Sequence, residues 1–539
     1  MQTQTRPFEP ERKLHRTTKT DPSNLRATAS PTTLQEQNAK TLTVRTNTPA
    51  ANAVEATLHT VTTSQSRTAR QDHLPTPIKT RPLAEYLSGY TNKDYIISGF
   101  REGFSLHFHG PQKELISENS SSAKINSNVI DKSIEYELSL NRLSGPYNEP
   151  PFPHFKSSPL AIKEKKDTGK YRMLHNLSFP YDNSSVNQNI PREFATVSYS
   201  SINHAIHAIH ECQPTAYMAK SDISEAYRLI PINRADYHLT GFSWKGKFYF
   251  DKCLPQGCSS SCQIFQNISN SLLWILQNKF GLKKNVINVL DDFLLVAPSY
   301  EECKQALTAF ITLARELGIP LASNKTVGPS TDLAFLGIQI NTLRMTASLP
   351  IDKIHRYTTD LTVVLAKGKI TLRELKSVIG KLQFSTSVIR PGRPFLRRLI
   401  DRTMGIQKPH YFIRLRSEEL EDIKIWIEFL KSYNGITILR KPSTASSKTV
   451  NLYTDASAAG FGGTFGTHWI QESYPNSWKN YHISVLEIYP ILVLIKVFSH
   501  KIANADITFH CDNEAVVTVL NKQTSKNPYL LKIIRLIVL

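Results

Sequence analysis

Short apolar runs alternate with longer helical patterns through the middle of the chain. The runs at 158–162 and 170–174 flank an Asp-Thr-Gly turn, which predicts a β-hairpin. A further apolar run at 215–222 predicts a strand that ends in a carboxylate. Because helix and strand patterns alternate in this way, we expect a mixed domain of helices and sheets at 156–340.

A second apolar hairpin is predicted around Asp291 and Asp292. The runs 286–290 and 293–297 meet at this pair, and a helix-like pattern at 262–280 precedes them. Adjacent acids at the tip of an apolar hairpin repel each other unless a cation compensates, although Asp is also common in exposed turns. Asp222 closes another strand earlier in the chain, so three carboxylates from strand ends could hold two Mg²⁺ ions.

The pattern changes after residue 340. Segment 341–440 predicts helices, one of which opens at the capping box Thr371-Leu372-Arg373-Glu374. A Ser-rich linker follows at 441–448. Segment 449–539 then predicts a strand, a Gly-rich hairpin, a helix, a strand and a helix. These patterns indicate a helical region followed by a separate α/β domain.

The N-terminal residues 1–80 contain a single aromatic side chain, Phe8, and are rich in Thr, Ser, Gln and Asn. Such a segment cannot bury enough apolar surface to offset its chain entropy, which predicts a disordered tail. The tail is basic, so it could contact nucleic acid. Residues 81–155 are then an N-terminal extension of the mixed domain.

The whole chain has 539 residues, enough for several domains, and a net charge of +20. A protein this basic typically binds a polyanion, most often nucleic acid. The excess charge lies in the tail, in 156–172 and in 341–400, on either side of a nearly neutral centre that contains the Asp-Asp pair. A single basic run is often only a solvated surface, whereas two runs around an acidic centre favour a nucleic-acid groove.

Three further features of the composition bear on the location of the protein. Six cysteines exclude a disulfide scaffold and favour a reducing, intracellular setting, in the cytoplasm or the nucleus. The N-terminus has no apolar signal segment, so we do not expect secretion. No apolar run reaches ~18 residues without a charge or a proline, so we expect no membrane partner.

Four motifs resemble those of reverse transcriptases in order and spacing. They are the strand end Ser221–Tyr227, the turn Leu254–Gly257, the hairpin Val289–Asp292 and the strand Phe335–Gly337. Three further segments resemble DIRS-type retrotransposons, which encode a tyrosine recombinase in place of an integrase: 170–180, 185–187 and 388–398. The resemblance covers about residues 85–539. It implies an α+β fold in which a right-hand polymerase of fingers, palm and thumb precedes a second domain.

The resemblance implies metal ligands at matching positions. Asp222 and Asp291 correspond to the ligands of two Mg²⁺ ions, with Mn²⁺ as the alternative, and Asp292 is the accompanying carboxylate. Two such ions would activate the 3′-hydroxyl of a primer and steady the leaving pyrophosphate. Val289 departs from the family, because many retroviral relatives carry an aromatic residue there. We interpret this change as an adjustment of the activity rather than a loss of it.

The resemblance also implies a site for a deoxynucleoside triphosphate. Tyr227 corresponds to the steric gate that excludes a 2′-hydroxyl, although taken alone it would be an ordinary core aromatic. Gln256 corresponds to a residue that contacts the incoming nucleotide. Lys165 and Arg172 correspond to the residues that hold the triphosphate, and two neighbouring lysines compete with Lys165 for that position.

The basic helical segment 341–440 occupies the place of the thumb. Its helices could grip the phosphates of a template–primer duplex without sequence preference, and the alternative is a solvated helical surface. The four side chains to which we assign this contact are Arg390, Arg393, Arg397 and Arg398.

A second set of carboxylates, Asp455, Glu487 and Asp512, lies in the C-terminal segment. Its order of strand, Gly-rich hairpin, helix and strand resembles a ribonuclease H fold. In that family the acids bind two metal ions and hydrolyse the RNA strand of an RNA–DNA hybrid. Relatives add a fourth acid from a later helix. Because the chain stops at Leu539, we expect an incomplete domain that exposes the apolar segment 530–539.

These observations predict an RNA-directed DNA polymerase from a DIRS-like element, with a truncated ribonuclease H-like domain. Its partners would be an RNA template, a DNA primer and an RNA–DNA hybrid, together with a capsid-like protein and a tyrosine recombinase of the same element. One alternative is a nucleic-acid-binding remnant without catalysis. The other is a protein in which ribonuclease H is the surviving activity.

Overall fold

The computed structural model describes residues 74–164, 171–212, 215–282, 286–432, 449–503 and 506–539. Most of the predicted tail and the whole linker 441–448 lie outside these residues. The part of the tail that is described, 74–80, is folded. Ile78 is buried, and the backbone N–H of Lys79 donates to the carbonyl of Leu317 at 2.9 Å. The predicted boundary at 80 is therefore corrected, because these residues pack on the domain that follows.

The elements of residues 80–330 alternate between helices and strands. They are α1 Thr80–Tyr86, α2 Lys93–Glu102, β1 Leu115–Ile116, α3 Ser121–Ile125, α4 Ser127–Ser139, β2 Leu143–Tyr147, β3 Lys156–Ser157, β4 Leu160–Glu164, β5 Tyr171–His175, α5 Ile202–Glu211, β6 Tyr217–Asp222, β7 Gly241–Trp244, β8 Lys247–Asp251, α6 Ser261–Lys279, β9 Val286–Val289, β10 Asp292–Ala297, α7 Tyr300–Leu317 and β11 Val327–Ser330.

One sheet shows how the N-terminal segment joins the rest. A five-stranded sheet has the order β1-β3-β7-β8-β2, so residues 81–155 contribute strands to a sheet whose central strands come from the mixed domain. The segment is thus part of one folded unit rather than an appendage. The first predicted hairpin is confirmed as β4 and β5, which pair antiparallel with Lys163 opposite Arg172.

Asp222 and Asp292 lie in a four-stranded sheet with the order β11-β6-β10-β9. Its inward side chains are apolar, and α6 and α7 pack against it through buried residues such as Phe293 and Phe310, whose ring centroids lie 4.7 Å apart. Burial of that face fixes the strand register, since a slip by one residue would turn every side chain to the other face. The register in turn decides where the acids at the strand ends lie.

The region after the sheet is largely helical, as predicted, but it also contains short strands. Its elements are β12 Asp332–Phe335, β13 Ile338–Asn341, β14 Thr346–Ser348, α8 Ile351–Lys367, β15 Lys369–Thr371, α9 Leu372–Ser385, α10 Arg397–Asp401, β16 Phe412–Arg414 and α11 Ser417–Ser432. The predicted capping box is present: Thr371 Oγ1 accepts from the N–H of Glu374 at 3.3 Å, and Glu374 Oε2 accepts from the N–H of Thr371 at 2.9 Å.

The C-terminal domain follows the predicted order and adds one helix. Its elements are β17 Thr449–Ala456, β18 Gly460–Phe465, β19 His468–Ser473, α12 Ile483–Ile502, β20 Asp506–His510, α13 Glu514–Lys522 and α14 Pro528–Val538. The sheet order is β19-β18-β17-β20, with β17 and β20 parallel. By length and composition α12 could cross a membrane, yet 61% of its most apolar window is buried within the protein, as in the core helix of a folded domain.

The last helix corrects part of the expectation of an exposed apolar end: Leu536 and Leu539 are exposed, but the apolar side chains between Leu530 and Ile534 are buried. Leu530, Ile533 and Ile534 are buried in a cluster with residues of α12, because the apolar positions of α14 recur with helical spacing on one side. The C-terminal end of α14 contacts the helical region that precedes the C-terminal domain. There Val538 packs against the core formed by α8, α9 and α11. The helix therefore connects the C-terminal domain to the region before it.

Candidate functional site

Three carboxylates meet where β6 pairs with the hairpin β9–β10. Asp292, the first residue of β10, is in register with Asp222, the last residue of β6. Asp291 lies in the intervening turn, where its carbonyl accepts from the N–H of Ile223 at 3.0 Å. Since neighbouring strands run about 4.8 Å apart, this register brings the acids of two separate sequence segments to one end of the sheet. The structure thus brings together all three acids that the sequence predicted.

Helix α6 holds the turn in place. Leu290 adopts a left-handed conformation with φ of 53°, and its N–H donates to Gln266 Oε1 at 2.9 Å. Its carbonyl accepts from the hydroxyl of Ser269 at 2.7 Å, and that hydroxyl oxygen accepts from Asn288 at 2.9 Å. These hydrogen bonds offset the strain of a non-glycine residue in this conformation. They also fix the position of the turn that carries Asp291.

The acids are held close together against their electrostatic repulsion. Burial, and then the charges of Asp291 and Asp222, raise the pKa of Asp292 to about 6. Burial and the charge of Asp222 also raise the pKa of Asp291. Lys325 places its Nζ 2.7 Å from Asp222 Oδ2 and offsets part of this negative charge. A cluster of carboxylate oxygens with raised pKa values is the donor set that suits Mg²⁺ or Mn²⁺.

The Leu-Pro-Gln-Gly turn is built around its glycine. A Cβ on Gly257 would lie 1.8 Å from the carbonyl oxygen of His175 in β5, so no other residue fits there without displacing the turn. Asn187 fixes the same turn from the other side: its amide donates to the carbonyl of Gly257 and accepts from the N–H of Ser259, both at 2.8 Å. Gln256 is exposed at the tip, with its side chain free to contact a bound molecule.

Tyr227 follows the strand that carries Asp222 and lies in a short 3₁₀ turn. Its ring is half-buried against Phe265, with centroids 5.4 Å apart, and its hydroxyl lies 3.2 Å from the sulfur of Cys262. Burial raises the pKa of Tyr227, so the hydroxyl stays neutral. Arg172 is exposed on β5, and its charge offsets part of the burial-driven rise in the pKa of Asp291, so the guanidinium lies within electrostatic reach of that acid. Lys165 lies outside the described residues.

The four arginines assigned to phosphate contacts separate into two pairs. Arg390 and Arg393 are exposed. Arg397 instead forms an ion pair with Asp401, and Arg398 lies 3.6 Å from both Glu418 and Asp422. The assignment of Arg397 and Arg398 is therefore corrected: their guanidinium groups are engaged within the protein, because acids of α10 and α11 face them.

The second set of acids also converges. Asp455 lies in β17, Glu487 lies in α12, and Asp512 follows β20, the parallel neighbour of β17. Glu487 is buried, and burial followed by the charges of Asp512 and Asp455 raises its pKa to about 7. The structure thus brings together the three acids that the sequence predicted here. Their carboxylate oxygens, like those of the first cluster, suit Mg²⁺ or Mn²⁺.

A match to a known protein family covers the part of the chain that carries the first three acids. Residues 163–340 match the family model described as reverse transcriptase (RNA-dependent DNA polymerase). Residues 163–340 are a reverse transcriptase domain. The match contains Asp222, Asp291 and Asp292.

Several viral polyproteins resemble the chain over part of its length. The Gag-Pro-Pol polyprotein of human T-cell leukemia virus 2 is 24% identical over 51% of this chain, and the Pro-Pol polyprotein of feline foamy virus is 28% identical over 32%. The chain covers only 17% and 14% of those two proteins. Among solved structures, a foamy viral protease-reverse transcriptase in complex with double-stranded DNA has a TM-score of 0.50 at 16% identity, over 78% of this chain and 73% of that one. This likeness extends the shared polymerase fold beyond the reverse transcriptase domain.

Two residues at the sites were not found from the sequence. Lys325 lies in the reverse transcriptase domain but follows an irregular stretch, and no motif or periodicity indicates that it contacts Asp222. Cys511 precedes Asp512 and lies with its sulfur 4.0 Å from Glu487 Oε2. Its position at the end of an apolar strand, directly before an acid, was the signal available. Asn187 belonged to a noted segment, yet its contact with the Gly257 turn required the fold.

Proposed function

We propose that the chain is the RNA-directed DNA polymerase of a DIRS-like retrotransposon. The observation that carries the proposal is the register of β6 and β10, which places Asp222 beside Asp292 and Asp291 inside a reverse transcriptase domain. The substrates would be deoxynucleoside triphosphates, and the partners would be an RNA template and a DNA primer. The double-stranded DNA bound by the foamy viral protein is consistent with such a duplex.

In this proposal, different residues of the domain bind the metal ions and the triphosphate during nucleotidyl transfer. Two divalent cations, when bound, would supply the Lewis acidity that activates the primer hydroxyl and neutralises the pyrophosphate. Asp222 and Asp291 would hold them, with Asp292 supporting the local negative charge. Arg172 would contact the triphosphate with its planar fork. Lys325 forms an ion pair with Asp222. It would have to release that carboxylate when a cation binds.

The assignment to a DIRS-like element rests on the segments 170–180, 185–187 and 388–398. In the fold the first two form β5 and the loop that clamps the Gly257 turn, and the third forms the 3₁₀ turn that leads into α10. A capsid-like protein and a tyrosine recombinase of the same element are proposed as further partners. An intracellular location, in the cytoplasm or nucleus, follows from the same proposal.

The proposal is tested by deoxynucleotide incorporation on poly(rA)–oligo(dT) with Mg²⁺ or Mn²⁺. We expect extension of the primer that chelation with EDTA abolishes and that renewed addition of the metal restores. A chain that binds the primer–template in a salt-dependent manner but incorporates nothing with either metal would instead be a non-catalytic remnant.

Tyr227 provides a test of the nucleotide site. Replacing it by Ala should increase the use of ribonucleotides relative to deoxynucleotides by about tenfold, which corresponds to ~1.4 kcal/mol of lost discrimination. The reason is that the ring, held against Phe265, would no longer clash with a 2′-hydroxyl. Tyr227→Phe keeps the ring and serves as the control, so it should keep the discrimination. Equal ratios for the Ala variant and the parent would contradict the steric role.

We also propose that the C-terminal domain is a ribonuclease H-like nuclease acting on RNA–DNA hybrids, and the observation that favours it is the convergence of Asp455, Glu487 and Asp512. Asp455→Asn is expected to reduce cleavage of the RNA strand by at least ~10²-fold, because one of three charges that would hold the metal is lost. Labelled RNA in a hybrid measures this. Glu514→Gln removes an exposed acid of α13 two residues from Asp512 and should leave cleavage unchanged. Comparable losses in both variants would argue against the site.

A further inference from the structure

The second acidic cluster contains a thiol that the proposed nuclease chemistry does not use. Glu487, Cys511 and Asp512 each offer one ligand atom, and these three atoms all lie within 4.8 Å of one another. The Cys511 sulfur lies 4.0 Å from Glu487 Oε2. Sulfur and oxygen ligands of a tetrahedral zinc ion lie ~3.6 Å apart, given Zn–S and Zn–O bonds of ~2.3 and ~2.1 Å. The three donors therefore reach the spacing of a single ion after a shift of up to ~1 Å.

The surroundings of the three donors favour a cation. Glu487 and Cys511 are more than nine-tenths buried, whereas Asp512 is exposed and leaves the cluster open to solvent on one side. The charges that act on Glu487 are those of Asp512 and Asp455. Within the part of the chain that the structure describes, no lysine or arginine forms an ion pair with any of these acids. A buried carboxylate beside other acids is stabilised by a metal ion when no basic side chain is available.

The thiol of Cys511 faces the protein interior, directly after the end of β20 at His510. Cys511 turns toward α12, where Glu487 lies one turn from the start of the helix. Asp512 stays at the surface, from which its carboxylate reaches the same point. The segment after β20 and helix α12 thus bring one thiol and two carboxylates together.

We propose that Glu487, Cys511 and Asp512 bind one thiophilic divalent cation, Zn²⁺ or Cd²⁺, which competes with Mg²⁺ at the same acids and inhibits hybrid cleavage. The inhibitory part rests on the proposed nuclease function, whereas the binding part does not. Binding replaces the thiol proton, which is released to the solvent, and forms a metal–thiolate bond without any redox step.

The selectivity follows from the softness of the ligands. Thiolate sulfur binds zinc and cadmium strongly and magnesium poorly, while carboxylates alone suit magnesium. With Mg²⁺ the sulfur is not a ligand, because thiolates bind this ion poorly. With a thiophilic ion the thiolate becomes a ligand. The ion would then occupy Glu487 and Asp512, two of the three acids that Mg²⁺ would need.

The binding part is tested on the full chain with Co²⁺ as the probe, since a thiolate ligand gives a charge-transfer band in the near ultraviolet. We expect a band that Zn²⁺ or Cd²⁺ removes by competition and that is absent in Cys511→Ala. Cys303→Ala removes a buried thiol of α7 and should retain the band. Glu487→Gln should retain the band at saturation but weaken Co²⁺ binding by ~10-fold or more.

Two outcomes would overturn the proposal: no band in the parent chain, or a band that persists in Cys511→Ala with unchanged circular dichroism. The inhibitory part is measured as the ratio of hybrid cleavage with and without Cd²⁺ at fixed Mg²⁺, which should rise toward one in Cys511→Ala. A chain that shows the cobalt band but no cleavage with Mg²⁺ alone would refute the proposed nuclease and leave the metal site established.

Discussion

Replacing Asp291 by Asn is expected to lower the rate of deoxynucleotide incorporation by at least ~10²-fold, the loss typical when one charged group is removed from a transition-state site. The amide has the size of the carboxylate and fits the same turn, but it carries no charge to hold a divalent cation beside Asp222. The rate on poly(rA)–oligo(dT) at saturating Mg²⁺ measures the loss. An unchanged rate would contradict the role of Asp291 as a metal ligand.

The same substitution is expected to stabilise the chain in the absence of metal, which separates a lost reaction from a lost fold. The pKa of Asp292 is about 6 in the folded protein, above its ordinary value of 3.8. A carboxyl with a raised folded-state pKa binds more protons in the folded than in the unfolded state. The free energy of unfolding therefore falls as the pH rises from about 4 to about 6. Removing the Asp291 charge relieves part of this penalty at pH 7, by ~1 kcal/mol after solvent screening.

Thermal unfolding in EDTA at pH 7 measures this gain. The Asp291→Asn variant should unfold at a higher temperature than the parent, and the difference should shrink at pH 4, where Asp292 is protonated in the folded parent. Asp352→Asn is the matched control, because Asp352 is an exposed acid at the start of α8, away from the cluster. It should change neither incorporation nor the unfolding temperature appreciably. A lower unfolding temperature for Asp291→Asn would contradict the repulsion argument.

The sequence predicted the parts of the first site that depend on local pattern. Apolar runs that meet at Asp291-Asp292 specify a hairpin, and a buried strand that ends at Asp222 is its natural neighbour in a sheet. The capping box at Thr371 could also be predicted from the sequence, because both of its hydrogen bonds join residues only three apart. In each case the residues that interact are near in sequence, or lie at strand ends that the sheet register brings together.

The sequence could not predict contacts made by single long side chains across the fold. Lys325 reaches Asp222 from an irregular stretch about a hundred residues later, and nothing in its neighbours indicates that partner. The basic run at 390–398 looked uniform, yet only its first two arginines are exposed, because the acids that pair with Arg397 and Arg398 come from α10 and α11. Net charge by segment indicates a basic surface but not which side chains form it.

The C-terminal apolar run was misjudged for a related reason. Its hydrophobic residues predicted exposed surface because no partner was visible after them in the chain. The partner is α12, which precedes α14 and whose apolar residues form one buried cluster with Leu530, Ile533 and Ile534. A buried arginine within the run, Arg535, is the residue that reaches beyond this domain.

Replacing Arg535 by Leu is expected to detach α14 from the preceding region. Arg535 forms an ion pair with the fully buried Asp422 of α11, and its guanidinium lies 4.3 Å from the ring centroid of Phe395. Without it, Asp422 keeps a single ion-pair partner among the described residues, Arg398 at 3.6 Å. Removing one partner of a buried ion pair typically costs ~3–5 kcal/mol, because the remaining charge is left uncompensated. Protonation of Asp422 limits this cost, since burial already raises its pKa to about 6 even with both arginines present.

Hydrogen exchange of the α14 amides measures this detachment, and it should be faster in Arg535→Leu than in the parent. Lys532→Leu changes an exposed charge on the same helix and should leave the exchange rates nearly unchanged. The effect should diminish below pH 6, where Asp422 takes up a proton and no longer needs a cation. The double variant Arg535→Leu/Asp422→Leu should recover much of the protection, because neither charge is then left unpaired. If the double variant exchanged as fast as Arg535→Leu alone, packing on Phe395 rather than the ion pair would hold α14 in place.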